Sequence, residues 1–260
     1  MDDAIDWAAV PAAIWQPNRG RLRPVPEIEP VALDSLLGIE RQKAELVANT
    51  RRFLAGLPAN NALLWGARGT GKSTLIRALL HHFRGDGLRV LQVDRDDLVD
   101  LPDIVDAVRD RPERFIAFCD DLSFEEGERG FRALKSVLEG SIEPPPDNVR
   151  VYATSNRRHL VPEYLSDNNQ ARVVGDEIHP GDVTEERLSL SDRFGLTLSF
   201  YPLPRETYLA IVESLFAGRD DRPDDLAERA LEFAQNRSVR SGRTARQLFN
   251  YLAGREEDSG

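Results

Sequence analysis

From residue 61 onward, short apolar runs alternate with stretches whose apolar residues recur every three or four positions. NALLW (61–65), LRVLQVD (88–94), FIAFCD (115–120), VRVYATS (149–155) and LTLSF (196–200) are the apolar runs. They are nearly continuous rather than alternating, the pattern of strands covered on both faces. Between them, TLIRALLHHF, LPDIVDAVRD and FRALKSVLEG carry helical spacing, and a short helix is expected near HLVPEYL. Strand and helix in regular alternation predict βαβ units and an α/β fold whose five-stranded parallel sheet has helices on both faces.

The flanks read differently. GIERQKAELVANTRRFLAG predicts a helix with Ile39, Leu46, Val47 and Phe53 on one face. After Pro204 the pattern is helix only, in RETYLAIVESLFAG, PDDLAERALEFAQN and GRTARQLFNYLAG. The first 35 residues are proline-rich with scattered Trp7 and Trp15, and read as an extended arm. SDNNQARVVGDEIHPGDVTEE (166–186) has no clear period and reads as an inserted loop. The expected division is therefore an N-terminal arm at 1–35, an α/β domain at 36–203 and a small helical subdomain at 204–254.

One motif carries most of the chemistry. GARGTGKS, residues 66–73, fits G-x-x-x-x-G-K-[ST] and lies between a strand and a helix. Gly66, Ala67, Arg68, Gly69, Thr70 and Gly71 form a loop whose backbone N–H groups can turn inward around phosphate oxygens. The helix that follows, from Lys72 through Thr74, presents its positive end to the same phosphates. Lys72 is placed to reach the β- and γ-phosphates of ATP, and the Ser73 hydroxyl to ligate Mg²⁺. FIAFCDD ends in two carboxylates at the C-terminal edge of a strand, where open parallel sheets bind ligands. Asp120 is placed to hold Mg²⁺ and Asp121 to orient or deprotonate the attacking water. Asn156, after VRVYATS, can contact the γ-phosphate or that water, although many strands end in Asn by turn preference alone. Arg193, in SLSDRFG, lies just before the fifth strand, where it is reached from outside the subunit's own site. An arginine supplied in trans stabilises charge on a transferring phosphoryl group; the plainer reading is a surface arginine paired with Asp192. An arginine at the start of the last helix, in SGRTARQLFNYL, can fold down onto the nucleotide; the plainer reading is a solvated helix start or a basic patch of Arg237, Arg240, Arg243 and Arg246.

Charge and cysteine content narrow the class. The net charge of -10 disfavours a protein that coats nucleic acid by bulk electrostatics. Lysine occurs only at positions 43, 72 and 135, which makes the one in the glycine loop conspicuous. A single cysteine, Cys119, excludes an intramolecular disulfide and a cysteine-rich zinc site. The acidic start, MDDAIDWAAV, does not read as a secretory leader, and no apolar run approaches the roughly 20 residues that span a bilayer. The expectation is a soluble cytoplasmic protein with no membrane partner.

In this order, the elements resemble the AAA+ ATPases across roughly residues 36–254. GARGTGKS resembles Walker A, FIAFCDD Walker B, and Asn156 sensor 1. Arg193 in SDRFG resembles the arginine finger and Arg246 in GRTARQL the sensor 2 arginine, with Arg243 as the other candidate. LLGIERQKAEL (36–46) is similar to the segment that packs near adenine. FCDDLSF, ATSNRRHL and SLSDRFGL are closer still to one bacterial AAA+ family catalogued as a domain of unknown function. The resemblance implies a five-stranded parallel sheet with a helical lid, ATP and Mg²⁺ as ligands, and a homo-oligomer, as a ring or open ring, whose arginines act in trans. It supplies no client, so a protein and a nucleic acid both stay open. One departure from the AAA+ pattern is Asp121, where the usual Walker B has Glu. The side chain is one methylene shorter, and roughly 1 Å of misplacement can cost about a hundredfold in rate; a nearby acid such as Glu125 is a candidate helper.

Other readings fail or weaken on the same residues. DEIH (176–179) imitates a helicase box, but the chain is too short for two helicase core domains and ATSN precedes the box. No N-K-x-D guanine-reading motif occurs. DRDDLVD, after the second strand, lacks the aromatic of a protein-threading pore loop. A small-molecule phosphotransferase on a P-loop survives as a third class, disfavoured because nothing identifiable supplies its acceptor pocket. The expected function is an oligomeric remodelling ATPase acting on a macromolecule. The alternative is an ATP-gated assembly switch or loader with slow or no hydrolysis. Basic clusters at Arg157, Arg158 and His159 and at 237–246 are candidate DNA contacts, with support of the ATP site or a solvated face as the plainer reading.

Overall fold

A computed structural model of the chain describes residues 5–124, 129–140, 143–156, 172–174, 177–179 and 192–253. The helix expected near HLVPEYL, Glu125 and the cluster at 157–159 lie outside the described residues, as does most of the 166–186 loop.

Every apolar run becomes a strand. These are β3 (Ala62–Gly66), β4 (Leu88–Val93), β5 (Arg114–Cys119), β6 (Val149–Ser155) and β9 (Leu196–Phe200). They lie parallel in the spatial order β4-β5-β6-β3-β9. Successive side chains of a strand point to opposite faces, and here both faces are buried. In β5, Phe115, Ala117 and Cys119 enter the layer shared with α3 (Leu101–Asp106) and α4 (Arg129–Glu139). Ile116 and Phe118 of the same strand enter the layer shared with α1 (Glu40–Leu54) and α2 (Lys72–Phe83). That two-sided burial explains why the runs lack polar alternation.

The sheet has seven strands rather than five. β1 (Ala12–Gln16) pairs parallel with β4, and β2 (Arg21–Val25) pairs antiparallel with β1 at the outer edge. The stretch read as an extended arm is thus a hairpin continuing the sheet. Its sequence hides this because RLRPV is an edge strand, where arginine and proline blunt further pairing and the apolar signal disappears. Trp7 is buried edge-on against Phe115, ring centroids 5.0 Å apart, and Trp15 Nε1 donates to Asp100 Oδ2 at 2.9 Å. A separate ribbon pairs β7 (Arg172–Val174) with β8 (Glu177–His179) inside the 166–186 segment. The helicase-like string therefore belongs to no strand of the main sheet.

The C-terminal helices α5 (Arg205–Phe216), α6 (Leu226–Asn236) and α7 (Gly242–Leu252) bury a third apolar cluster that includes Tyr208, Val212, Phe216 and Leu248. Ser241 caps α7: its Oγ accepts the Thr244 N–H at 3.1 Å.

Candidate nucleotide site

Three neighbouring strands, β5, β6 and β3, bring their C-terminal ends to one edge of the sheet. The glycine loop leaves β3 there. Gly66 has φ +134°, and a Cβ on it would lie 1.9 Å from the Phe200 carbonyl oxygen at the end of β9. Only glycine fits that approach, and Ala67 N–H donates to the same carbonyl at 3.0 Å. Residues Arg68 to Thr74 then line a cleft of about 1440 Å³, together with Asp120, Asp121, Asn156, Arg243 and Arg246.

Lys72 is 7% exposed. Its Nζ donates to the carbonyls of Gly66 and Ala67, both at 2.8 Å, and stands 3.4 Å from Asn156 Oδ1. Burial pulls its pKa below the usual lysine value. The carboxylates of Asp121 and Asp120 work against that shift, whereas Arg243 and Arg68 add to it.

The acids are tied to all three strand ends. Asp120 Oδ1 accepts from Ser73 Oγ at 2.7 Å and also from the Thr154 hydroxyl. Asp121 takes a left-handed backbone, φ +53°, and its N–H donates to Thr154 Oγ1 at 2.9 Å. Its carboxylate accepts from Asn156 Nδ2 and lies 4.0 Å from Arg68. Ser73 and Asp120 thus present two hard oxygens side by side, a donor pair that suits Mg²⁺ completed by waters and phosphate oxygens. The positive φ at Gly69 (+77°) and Gly71 (+98°) keeps the loop open to a phosphate chain.

The two C-terminal arginines differ. Both line the cleft, but Arg246 stacks over Phe249 with its guanidinium carbon 5.5 Å from the ring centroid. Arg243 sits at the glycine loop, its N–H 3.4 Å from the Gly69 carbonyl oxygen, and its charge acts on Lys72. Arg193 is elsewhere. It precedes β9 at the sheet's opposite edge, is paired with Glu139 at the end of α4, and lines a second cavity of about 420 Å³ with Asn60 and Gly195. Thr154 gives a single signal in the sequence, a hydroxyl residue near the end of an apolar run. The hairpin, which the sequence pattern does not mark, contributes Ile14 and Val25 to the same cleft as the glycine loop.

A family described as "protein of unknown function (DUF815)" matches residues 8–256. The chain belongs to that family. No curated protein matches it. Among solved structures, a variant of Thermotoga maritima RuvB aligns with TM-score 0.52 at 16% identity, covering 86% of this chain and 72% of that one. The Aeropyrum pernix Orc1 protein in complex with DNA aligns with TM-score 0.57 at 16% identity, covering 81% of this chain and 58% of that one. At such identity the likeness concerns the fold: this family member has the P-loop fold of the AAA+ ATPases. No helix among its described residues is long and apolar enough to cross a membrane.

Proposed function

We propose that the chain binds ATP with Mg²⁺ at the β3–α2 loop and hydrolyses it as one subunit of a cytoplasmic homo-oligomer that remodels a macromolecular client. The observation that supports this best is the meeting of Lys72, the Ser73–Asp120 pair and the Asp121–Asn156 pair at one sheet edge. The N–H groups from Gly69 to Ser73 bind the phosphates, and Lys72 exchanges its two carbonyl partners for phosphate oxygens. Ser73 and Asp120 would hold Mg²⁺, and the bound ion would supply positive charge for phosphoryl transfer. Asp121 orients the attacking water and takes up its proton, while Asn156 fixes that carboxylate. Arg243, at the glycine loop, is the better placed of the two lid arginines for the sensor 2 role; Arg246 supports it from Phe249. Arg193 serves the site of a neighbouring subunit.

A second reading is an ATP-gated assembly switch. It is favoured by Asp121, which is shorter than Glu and already engaged by Asn156 and near Arg68. Turnover measured across protein concentration, with particle mass followed by light scattering, separates the two. Specific activity that rises with assembly supports the ATPase; ATP-dependent assembly without turnover supports the switch. On the ATPase reading, Arg193→Ala binds ATP but turns over slowly, and mixing it with Asp121→Asn restores activity. Inactive mixtures at every ratio would sink the trans assignment.

A further inference from the structure

We propose that Thr154 is the positioning residue that allows an aspartate to stand where this reaction needs its water-activating acid. The inference rests on the ATPase reading and adds to it a residue that touches neither phosphate nor water.

The Thr154 hydroxyl has one proton to donate and lone pairs to accept with. It donates the proton to Asp120 Oδ1, and it accepts the Asp121 N–H at 2.9 Å. One oxygen therefore fixes the metal-side acid by its carboxylate and the water-side acid by its backbone. Thr154 is 1% exposed and β-branched, so its χ1 is held by packing as well as by its partners. The strand ends around it are pinned too. The Leu122 N–H donates to the Thr154 carbonyl at 2.7 Å, and Ser155 Oγ donates to the Leu122 carbonyl at 2.7 Å.

The left-handed turn at Asp121 gives this arrangement a purpose. Among the described residues only Asp121 and Ser238 hold a positive φ without being glycine. Such a backbone is disfavoured for an L residue with a Cβ, and here the bond from its own N–H to Thr154 holds it. The turn carries the carboxylate to Asn156 Nδ2. A side chain one methylene shorter than Glu thus meets its partner through a backbone excursion instead of through reach. Without the hydroxyl, Asp121 is free to relax toward an ordinary backbone, and its carboxylate leaves the water position. A purely structural Thr154 would fill space between β5 and β6, and an isosteric apolar residue would replace it.

The test compares wild type, Thr154→Val and Thr154→Ser, with Thr154→Ala as a second hydroxyl-free variant should Val fold poorly. ATP turnover with Mg²⁺ is measured on assembled protein, and hydrogen exchange of the Asp121 amide is followed by NMR on nucleotide-free protein. In Val and Ala, kcat falls about a hundredfold, as expected for roughly 1 Å of misplacement. KM for Mg·ATP moves by less than about threefold, because binding is left in place. Ser keeps kcat within about fivefold of wild type, since its hydroxyl can make both bonds. The Asp121 amide is protected in wild type and Ser and exchanges about tenfold faster or more in Val. Wild-type kcat in Val, equal impairment of Val and Ser, a loss confined to KM, or unchanged Asp121 exchange in Val would each overturn the proposal. Wild type that binds ATP and assembles without turnover would defeat the ATPase reading instead; the exchange measurement then decides the role of the hydroxyl by itself.

Discussion

Replacing Gly69 by alanine tests the seam between the glycine loop and the C-terminal helices. Gly69 holds φ +77°, a region that costs an alanine about 1–2 kcal/mol. A Cβ there would lie 2.8 Å from Ser241 Oγ and 3.0 Å from Arg243 Cβ. Real Cβ atoms do not approach that closely, so Ser241 must move. Ser241 is the cap of α7, bonded through Oγ to Thr244 N and Thr244 Oγ1. Losing a serine cap costs about 1 kcal/mol. The sum is about 2–3 kcal/mol, read as a fall in urea midpoint at constant slope by tryptophan fluorescence. Ser241→Gly is the partner substitution, because glycine is itself a tolerated cap and costs only a few tenths of a kcal/mol. In that background Gly69→Ala should cost only its backbone strain, which leaves a coupling of about 1 kcal/mol in the double-mutant cycle. Nucleotide affinity should fall with Gly69→Ala, since Arg243 is displaced along with Ser241. A cost below about 0.5 kcal/mol for Gly69→Ala, or strict additivity with Ser241→Gly, would refute the reasoning.

Two further outcomes follow from single side chains. Lys72→Ala should abolish the melting shift that ATP with Mg²⁺ gives wild type, which at a hundred times Kd corresponds to about 2.7 kcal/mol; an undiminished shift would remove the phosphate-loop assignment. Burial, aided by the Asp120 charge, pushes the Cys119 thiol from 9.0 up to about 12, so the folded chain keeps a proton that the unfolded chain loses above pH 9. The folded state then binds more protons, and stability must fall as pH rises through that window. Native protein should resist thiol reagents at pH 8, and its urea midpoint should drop more between pH 9 and 10.5 than that of Cys119→Ala; labelling of the native protein would contradict both.

The parts of this molecule that could be read from sequence are those whose physics is local. A strand buried on both faces must be apolar along its length, and FIAFC and VRVYA announce themselves for that reason. A phosphate loop must be glycine-rich next to a lysine, and those residues are consecutive. The hairpin at residues 12–25 was illegible because β2 carries the arginines and proline of an edge, so the hairpin does not look like sheet. Thr154 was illegible for a different reason. Its partners Asp120 and Asp121 are more than 30 residues away in sequence, and only the adjacency of β5 and β6 makes one hydroxyl serve both. Helix phase in the sequence does not separate Arg243 from Arg246. The two are three residues apart on one face of α7, and both reach the cleft. Only the fold shows that their surroundings differ: the residue 243 backbone N–H meets the Gly69 carbonyl, while Arg246 stacks on Phe249.

The placement of Arg193 constrains any assembly this chain makes for catalysis. It stands before the first residue of β9, while the glycine loop abuts the last, and a five-residue strand spans roughly 15 Å. An arginine side chain reaches about half of that, so Arg193 cannot serve the cleft of its own chain without unravelling β9. If it acts on a phosphate at all, that phosphate belongs to another copy. The contact is then between two different faces of the subunit, the sheet edge bearing Arg193 and the edge bearing the cleft. Such head-to-tail contacts close into rings or run on as open helices, and they do not make two-fold dimers. An active two-fold dimer that buries one of those edges against itself would therefore exclude a catalytic Arg193.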